Sequence, residues 1–190
     1  RGVDATNGRA LHSNDTSANV NGELEAFNSN GFTLGFNTAD GNSSGQDYCS
    51  WTFRKQAGFF DVVTYSGDGS EPRAINHNLG SVPGFIMVKR TDTTGSWQCR
   101  HRSLSNSERI VLNSTSTAQS NAAFFFGDGT NPVAATATQF TVADDAEVNA
   151  SGGTYVAYLF AHDDQSFGDG SDEAIIKCDT YLGSNATDID

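Results

Sequence analysis

The sequence predicts an all-β protein, an antiparallel, jelly-roll-like β-sandwich with flanking partial modules. Three observations support this. Apolar residues recur with a period of two or in short runs, and a 3.6-residue period is nearly absent. The chain of 190 residues contains 13 Phe, and such aromatic content is typical of a folded protein. Finally, 20 Gly and only 3 Pro, together with abundant Asn, Ser and Thr, indicate short strands joined by polar turns.

The predicted strands are rich in Val, Ile, Thr, Phe and Tyr and are bounded by turn-forming residues. They are 31–36, 47–54, 59–67, 74–79, 84–92, 97–102, 109–115, 122–127, 139–143, 154–162 and 174–183. Their spacing of about ten residues is typical of a sandwich or jelly roll. The run FIMV at 85–88 is apolar throughout and is expected to form a central strand between two layers. One helix is predicted, within residues 5–26.

An internal repeat is the most informative feature of the chain. Residues 32–53 (FTLGFNTADGNSSGQDYCSWTF) resemble residues 140–160 (FTVADDAEVNASGGTYVAYLF) with one gap. Each copy reads as a strand, an Asn-x-Ser-Gly turn and an aromatic strand. A second similarity follows in the same order, because DVVTYSG at 61–67 resembles KCDTYLG at 177–183. The order favours a tandem array of modules, with a two-fold repeat inside one domain as the alternative.

The array interpretation divides the chain into four parts. Residues 1–54 are expected to be the C-terminal part of a preceding β module, and residues 59–162 a complete β-sandwich module. Residues 163–173 are expected to be an acidic linker, and residues 174–190 the first strand of a following module. A module that is cut within its sheet exposes unpaired strand edges. The outer parts should therefore pair with the central module or with other chains.

Charge and hydropathy exclude two classes of partner. The chain has 11 Lys and Arg against 23 Asp and Glu, a net charge of -12, which argues against nucleic acid. No segment approaches the roughly 20 apolar residues of a membrane-spanning helix, which argues against a membrane.

The three cysteines are predicted to be free thiols. Their number is odd, no C-x-x-C motif occurs, and the repeat supplies no partner cysteine. The repeat aligns Cys49 with Val156 and Cys178 with Val62, so both thiols are expected to behave as small buried apolar groups. Cys99 has no such comparison.

No enzyme motif is present, and the sequence predicts a non-enzymatic protein with no catalytic or cofactor-binding residues. The motifs G-x-S-x-G, H-E-x-x-H, G-x-G-x-x-G and the P-loop are all missing. Two enzymatic alternatives stay open, because their residues assemble in space rather than in sequence. One is a triad of His101, Ser103 and an aspartate, and the other is a pair of carboxylates for glycoside hydrolysis.

An acidic stretch supplies the candidates for a metal site. Residues 162–173 (HDDQSFGDGSDE) combine oxygen ligands that suit Ca²⁺ with two glycines that permit a tight turn. The calcium candidates are Asp163, Asp164, Asp169 and Asp172. The spacing differs from that of an EF-hand loop, and a solvated acidic linker is the favoured interpretation.

Basic residues gather in the middle of the chain and supply the candidates for a binding surface. These candidates are Trp97, Arg100, Arg102, Lys89 and Arg90. Strand alternation places Arg100 and Arg102 on the face opposite Cys99 and His101. Arginine beside an aromatic ring suits an anionic glycan or an acidic protein partner. The alternative is an ordinary exposed strand face that is basic.

Residues 74–89 (AINHNLGSVPGFIMVK) resemble a segment of phage tail-fibre and other virion-appendage proteins. FFDVVTYSGDG at 59–69 and SGGTYVAYLFAHD at 151–163 are similar to modular virion proteins of marine and cyanobacterial phages. The resemblance covers about residues 30–183, apart from the unusual Cys49 and Cys99. The motifs are structural, and the family supplies no catalytic residues. His77 is expected to stabilise the turn at 78–80 through a hydrogen bond to the backbone.

The resemblance implies a non-enzymatic virion structural protein, a β-sandwich module of a fibre, spike or capsid-surface appendage in assembly or host attachment. Its expected partners are other virion proteins, further modules of its own chain, and a host-surface glycan, in a homo-oligomer such as a trimer. It would be assembled in the host cytoplasm and exposed outside the cell. The alternatives are a carbohydrate-binding module of a secreted bacterial protein, with Trp97, Trp51 or Tyr158 in its groove, and a polysaccharide depolymerase.

Overall fold

A computed structural model describes residues 9–21, 24–35 and 41–183 of the chain. In chain order the strands are β1 (Arg9–Ala10), β2 (Val20–Asn21), β3 (Leu24–Asn28), β4 (Gly31–Leu34), β5 (Phe60–Ser66), β6 (Arg73–Asn76), β7 (Phe85–Arg90), β8 (Gln98–His101), β9 (Ile110–Val111), β10 (Gln139–Val142) and β11 (Thr154–Phe160). A short 3-10 helix occupies Ala122–Phe124. The all-β prediction is confirmed. Within the described ranges, no helix is long and apolar enough to cross a membrane.

Five antiparallel strands form the main sheet, in the order β5-β11-β7-β8-β9. β11 lies between β5 and β7, so that Leu159 is opposite Asp61 on one side and Ile86 on the other. β7 is the middle strand, and its Ile86 and Val88 are buried. The prediction of a central strand at 85–88 is confirmed. An apolar run of this kind suits a strand that has neighbours on both edges and packing on its faces.

A two-stranded ribbon packs against one face of the main sheet. It consists of β6 and β10, with Ile75 opposite Phe140, and both of these side chains are buried. The core that they share with the sheet and with the loop after the 3-10 helix includes Ile86, Val88, Phe125, Phe126, Tyr155, Ala157 and Leu159. Removal of this apolar surface from water is the main force that holds the two layers together. The second layer is thus a ribbon, whereas a jelly roll has a full second sheet.

The opposite face of the main sheet is covered by the N-terminal part of the chain. An apolar cluster on this face consists of Phe60, Val62 and Val156. Leu11 packs against the cluster, and the ring of Phe53 lies 5.7 Å from that of Phe60. The N-terminal part and the main sheet therefore share an apolar contact.

Asp61 joins two of the segments that carry the phage resemblance. Its buried carboxylate accepts hydrogen bonds from Val62 N at 2.8 Å and from Asn78 N at 2.7 Å, and it forms an ion pair with Lys55 at 3.0 Å. Burial alone would raise the pKa of Asp61, but the hydrogen bonds from Asn78 and Lys55 hold it below its ordinary value. The ionised carboxylate of Asp61 thus links the turn at 78–80 to β5 through the hydrogen bond from Asn78 N.

His77 stabilises the same turn, as the sequence predicts. Leu79 N donates a hydrogen bond to Nδ1 of the buried His77 at 3.2 Å. Burial lowers the pKa of His77, which favours the neutral imidazole and so keeps a lone pair on Nδ1 for this bond.

Replacement of Asp61 by Asn should reduce the acid sensitivity of the fold. A carboxyl group whose pKa is lowered by folding stabilises the native state above its unfolded pKa of about 3.9, and this contribution disappears as the pH falls through the folded pKa. The stability difference between wild type and Asp61→Asn should therefore be largest near neutral pH and shrink below about pH 4. Urea unfolding across this range measures it. A difference that does not change with pH would contradict an ionised Asp61.

Three predicted strands and the predicted helix differ from the structure. Residues 47–54 and 174–183 form no strand, since neither segment has a strand partner among the residues described. Within 122–127, the 3-10 helix and the turn after it direct the consecutive Phe125 and Phe126 into the core, which alternation along a strand would prevent. The described part of 5–26 contains β1, β2 and the start of β3 in place of a helix. Residues 1–8, 22–23, 36–40 and 184–190 lie outside the described residues.

Candidate functional site

The turn of the internal repeat has the same conformation in both copies. Gly45 has a φ of 76° and Gly152 a φ of 77°. Glycine adopts this left-handed conformation without the steric cost that a side chain would add. The backbone hydrogen bond that closes the turn also recurs, at 3.3 Å over residues 43–46 and at 3.0 Å over residues 150–153. The sequence repeat is therefore also a structural repeat at this turn.

The tyrosine of each copy holds the turn in the same way. Tyr48 Oη accepts a hydrogen bond from Ser43 N at 3.0 Å, and Tyr155 Oη accepts one from Ala150 N at 2.8 Å. In the second copy the hydroxyl group also donates to Ala146 O at 2.8 Å. In both copies the tyrosine after the turn thus accepts a hydrogen bond from the backbone N–H group of the first residue of the turn.

The strands before each turn form equivalent ribbons, a correspondence that the sequence analysis missed. Phe27 is opposite Phe32 in the β3–β4 ribbon, as Ile75 is opposite Phe140 in the β6–β10 ribbon. The pattern Ala-apolar-Asn, found as EAFN in β3 and RAIN in β6, was the available signal. Phe27 and Phe32 are 55% and 36% exposed, whereas Ile75 and Phe140 are 4% and 2% exposed. Only the second ribbon is covered by the main sheet.

The strand after each turn shows the same contrast. In the second copy β11 pairs on both edges, with β5 and with β7. In the first copy the equivalent residues 47–53 pair with no strand in the described part of the chain. Tyr155 is 2% exposed and its equivalent Tyr48 is 52% exposed, while Trp51 reaches 81%. The first copy, residues 24–53 without the undescribed 36–40, is therefore a ribbon, a turn and an unpaired segment.

The unpaired segment corrects the expectation for Cys49, which is exposed. Cys178 is partly buried, and its Sγ donates a hydrogen bond to Ala161 O at 3.3 Å. Cys99 is fully buried in β8, and burial raises the pKa of its thiol to about 12. All three cysteines are free in the structure.

Two of the five residues predicted to form a binding surface are buried. Trp97 is 4% exposed and its Nε1 donates a hydrogen bond to His12 O at 2.9 Å. Lys89 is 0% exposed, and its Nζ donates to Thr16 O at 3.3 Å and to Arg90 O at 2.8 Å. Burial lowers the pKa of Lys89. The predicted surface therefore loses Trp97 and Lys89, because residues 10–19 cover both side chains.

Arg90 lies at the end of β7 and is partnered within the chain. Its Nε and Nη2 donate to the two carboxylate oxygens of Asp92 at 3.1 and 3.0 Å, and its Nη1 donates to Ala146 O at 3.0 Å. The side-chain hydrogen bonds raise the pKa of Arg90 and lower that of Asp92 to about 2. The guanidinium group therefore already has an anionic partner.

Arg100 lies in a pocket of about 200 Å³ between the main sheet and the β6–β10 ribbon, and Arg102 also lines this pocket. A hydrogen bond from Thr180 N and the positive charges of Lys177 and Arg102 lower the pKa of Asp179, so Arg102 already lies near a carboxylate. His101 and Asn106 also line the pocket. Arg100 Nη2 donates to Asn106 Oδ1 at 3.3 Å, but the buried Nη1 has no hydrogen-bond partner in the part of the chain that the structure describes. Burial lowers the pKa of Arg100, and no charged group within residues 9–21, 24–35 and 41–183 offsets this effect. An unpaired guanidinium nitrogen suits an anionic group of a ligand.

The acidic stretch does not assemble a metal site. An isolated bridge between Phe167 and Glu173 closes it into a turn. Asp163 lies 4.0 Å from Lys177 Nζ in an exposed ion pair. Among the residues that the structure describes, no group of three or more His, Cys, Asp or Glu side chains could hold a metal ion. All four calcium candidates, Asp163, Asp164, Asp169 and Asp172, are described, and they form no such group.

An apolar cleft lies between the β3–β4 ribbon and the face of the main sheet that carries Phe60 and Val62. Its volume is about 980 Å³, and Phe27, Trp97 and Tyr158 line it. The rings of Trp97 and Tyr158 lie 6.0 Å apart. Trp51 is not among the lining residues. The three aromatic residues considered for a carbohydrate groove therefore do not share one exposed site.

Residues 2–171 match the model of the family DUF7483, described as a domain of unknown function. The chain belongs to this family. The DUF7483 match takes in the main sheet, the β6–β10 ribbon and both copies of the repeat. No curated protein and no solved structure matches the chain.

Proposed function

We propose that this chain is a non-enzymatic structural module of a bacteriophage virion, in a fibre, spike or capsid-surface appendage that acts in assembly or host attachment. The resemblance of residues 59–69, 74–89 and 151–163 to virion proteins supports the proposal that the chain is part of a phage virion. The observation that carries an assembly role is the exposed aromatic segment of the first copy. Exposed backbone that can add to a sheet is an aggregation hazard in an isolated protein, but it is useful where neighbouring subunits pair with it.

In such a role, affinity comes from copy number. Contacts that are weak singly become strong when many copies are held at a high effective concentration on one particle. The proposed partners are other virion proteins, further copies or modules of this chain, and a host-surface glycan.

Immunogold labelling of purified phage particles with antibodies against this chain tests the proposal. We expect several labels per particle, on an appendage or on the capsid surface, and the chain should appear in the mass spectrum of purified virions. Particles treated with pre-immune serum are the control. Absence of the chain from purified virions by both methods would refute the virion role.

A second candidate function, recognition of an acidic glycan, is favoured by the Arg100 pocket. Among the described residues, the buried Nη1 of Arg100 has no hydrogen-bond acceptor. Arg102 and His101 lie in the same pocket. A carboxylate or sulfate group of a host-surface glycan would supply the missing acceptor and pair with the guanidinium group of Arg100.

Glycan-array binding of the wild type and of Arg100→Ala measures this second function. We expect uronic-acid or sulfated glycans to bind in preference to neutral ones. A hydrogen bond to a charged group contributes about 1.5–3 kcal/mol, so the substitution should weaken binding roughly tenfold or more. Arg90→Ala is the matched control, because Arg90 is already paired with Asp92. Equal binding by Arg100→Ala and wild type would exclude the pocket as the site.

A further inference from the structure

The unpaired segment 47–53 has a matching strand elsewhere in the same sequence. It is equivalent to β11, which pairs along its length with β5, so that Tyr155 is opposite Tyr65. Residues 177–183 (KCDTYLG) are the sequence equivalent of DVVTYSG, which contains most of β5. The chain thus carries both strands of a second β5–β11 pair, one before and one after the complete module.

Neither of these two segments is paired with a strand in the described part of the chain, and most of their residues are exposed. Neither forms a strand among the described residues. Trp51 is 81% exposed, and Tyr181 and Leu182 are 72% and 89% exposed. Exposed aromatic residues of this kind are typical of protein interfaces, where they bury large areas at a small cost in entropy. Both segments therefore have the character of interface strands.

We propose that residues 47–53 of one copy form an antiparallel ladder with residues 176–182 of a second copy, in the register of β11 and β5. That register places Tyr48 opposite Tyr181 and Cys49 opposite Thr180. The two segments differ in sequence, so the contact is head to tail. Each copy can pair through residues 47–53 with one neighbour and through residues 176–182 with another. Contacts of this kind build open filaments or closed rings. The inference deepens the assembly role proposed above and rests on it.

The surroundings of both segments agree with this pairing. In the complete module the ladder continues with a hydrogen bond from Ala161 N to Phe59 O at 2.9 Å. The equivalent positions are Arg54 and Ile175, so the ladder brings the basic Arg54 of one copy close to the acidic Glu173 of the other. Opposite charges at the end of a ladder favour one register over its neighbours.

The ladder can begin without unfolding either copy. Ile176 O accepts a hydrogen bond from Asp163 N at 2.9 Å, and Cys178 N donates one to His162 Nδ1 at 3.1 Å. These bonds hold residues 176–178 against their own module, while residues 179–182 are exposed. Pairing therefore starts at the Tyr48–Tyr181 and Cys49–Thr180 positions.

Disulfide cross-linking between two differently tagged full-length chains tests both the partner and the register. The first chain carries Cys178→Ser and keeps Cys49. The second carries Cys49→Ser, Cys178→Ser and Thr180→Cys. Cys99 stays in both, because it is fully buried. Copper phenanthroline with dissolved oxygen accepts the electrons of the two thiols. In a matched control the second chain carries Asp179→Cys in place of Thr180→Cys, which points to the other face of the ladder.

We expect the Thr180→Cys mixture to give several-fold more cross-linked heterodimer than the Asp179→Cys mixture. Peptide mapping should identify the bond between positions 49 and 180. Heterodimer no more abundant than in the Asp179→Cys control would overturn the inference, provided that circular dichroism shows the variants folded. That result would leave the virion labelling, and with it the proposed function, unaffected. If the cross-link forms in this register but the chain is absent from phage particles, the virion role is rejected and the pairing of the two segments stands.

Discussion

Tyr155→Ala is expected to lower the free energy of unfolding by about 3–5 kcal/mol, the range for loss of a large buried aromatic side chain. The Tyr155 ring is 2% exposed and stacks on Tyr65 with ring centroids 5.1 Å apart. Its hydroxyl group accepts a hydrogen bond from Ala150 N and donates one to Ala146 O. The substitution would leave a cavity between the layers and two backbone groups without their partner. Urea unfolding followed by tryptophan fluorescence measures the loss.

Tyr48→Ala is the matched control, because Tyr48 holds the same position in the first copy of the repeat. Tyr48 is 52% exposed, so its replacement should change stability by no more than about 0.5 kcal/mol. Tyr155→Phe separates the two contributions, since it keeps the ring and removes the hydroxyl group, at a cost of about 1–2 kcal/mol. Equal losses for Tyr48→Ala and Tyr155→Ala would mean that the two copies are packed alike.

The sequence predicts the strands of the main sheet well, because each is marked by local chemistry. β5, β7 and β11 combine β-branched and aromatic residues with turn residues at both ends, and all three lie within predicted strands. The apolar run at 85–88 also indicated the central position of β7. Alternation and turn chemistry are properties of a few neighbouring residues, so a single sequence reveals them.

A strand also needs a partner, which local sequence does not reveal. Residues 47–53 share the Tyr and the final Phe of 154–160, yet only the second segment forms a strand. β11 has β5 and β7 on its two edges, and in the described residues the first copy has neither. β propensity reflects packing against neighbouring strands more than a backbone preference. The same dependence explains why Cys49 is exposed although its equivalent, Val156, is buried.

The candidate site was predictable only in part, for the same reason. Strand alternation predicts Arg100 and Arg102 on the face opposite His101. In the structure His101 lines the same pocket as both arginines, because β8 ends at His101 and Arg102 lies in the turn that follows. Trp97 and Lys89 belong to the same stretch of chain but are buried by residues 10–19. The hydrogen bond from Trp97 to His12 spans 85 positions of the sequence. A pattern within a few neighbouring residues does not predict a contact between residues so far apart in the sequence.

Asn149→Ala is expected to cost about 2–4 kcal/mol, because this side chain is fully buried and its polar atoms are satisfied. Its Oδ1 accepts hydrogen bonds from Arg73 Nη1 at 2.7 Å and from Asp68 N at 3.1 Å. Its Nδ2 donates to Ser70 O at 2.8 Å. Each such bond contributes about 1 kcal/mol, more where a charged group takes part, and the groups left behind lose their partner in a place that excludes most water. Urea unfolding at neutral pH gives the loss.

Asn42→Ala supplies the comparison that separates the turn from the packing around it. Asn42 begins the same Asn-x-Ser-Gly turn in the first copy, where it is exposed and donates to Gly35 O at 3.3 Å. Its replacement should change stability by no more than about 0.5 kcal/mol. Because the turn closes in the same way at both sites, the difference between the two variants measures what the complete module adds through Arg73 and Ser70. A loss at Asn42 as large as that at Asn149 would show instead that the asparagine acts through the turn alone.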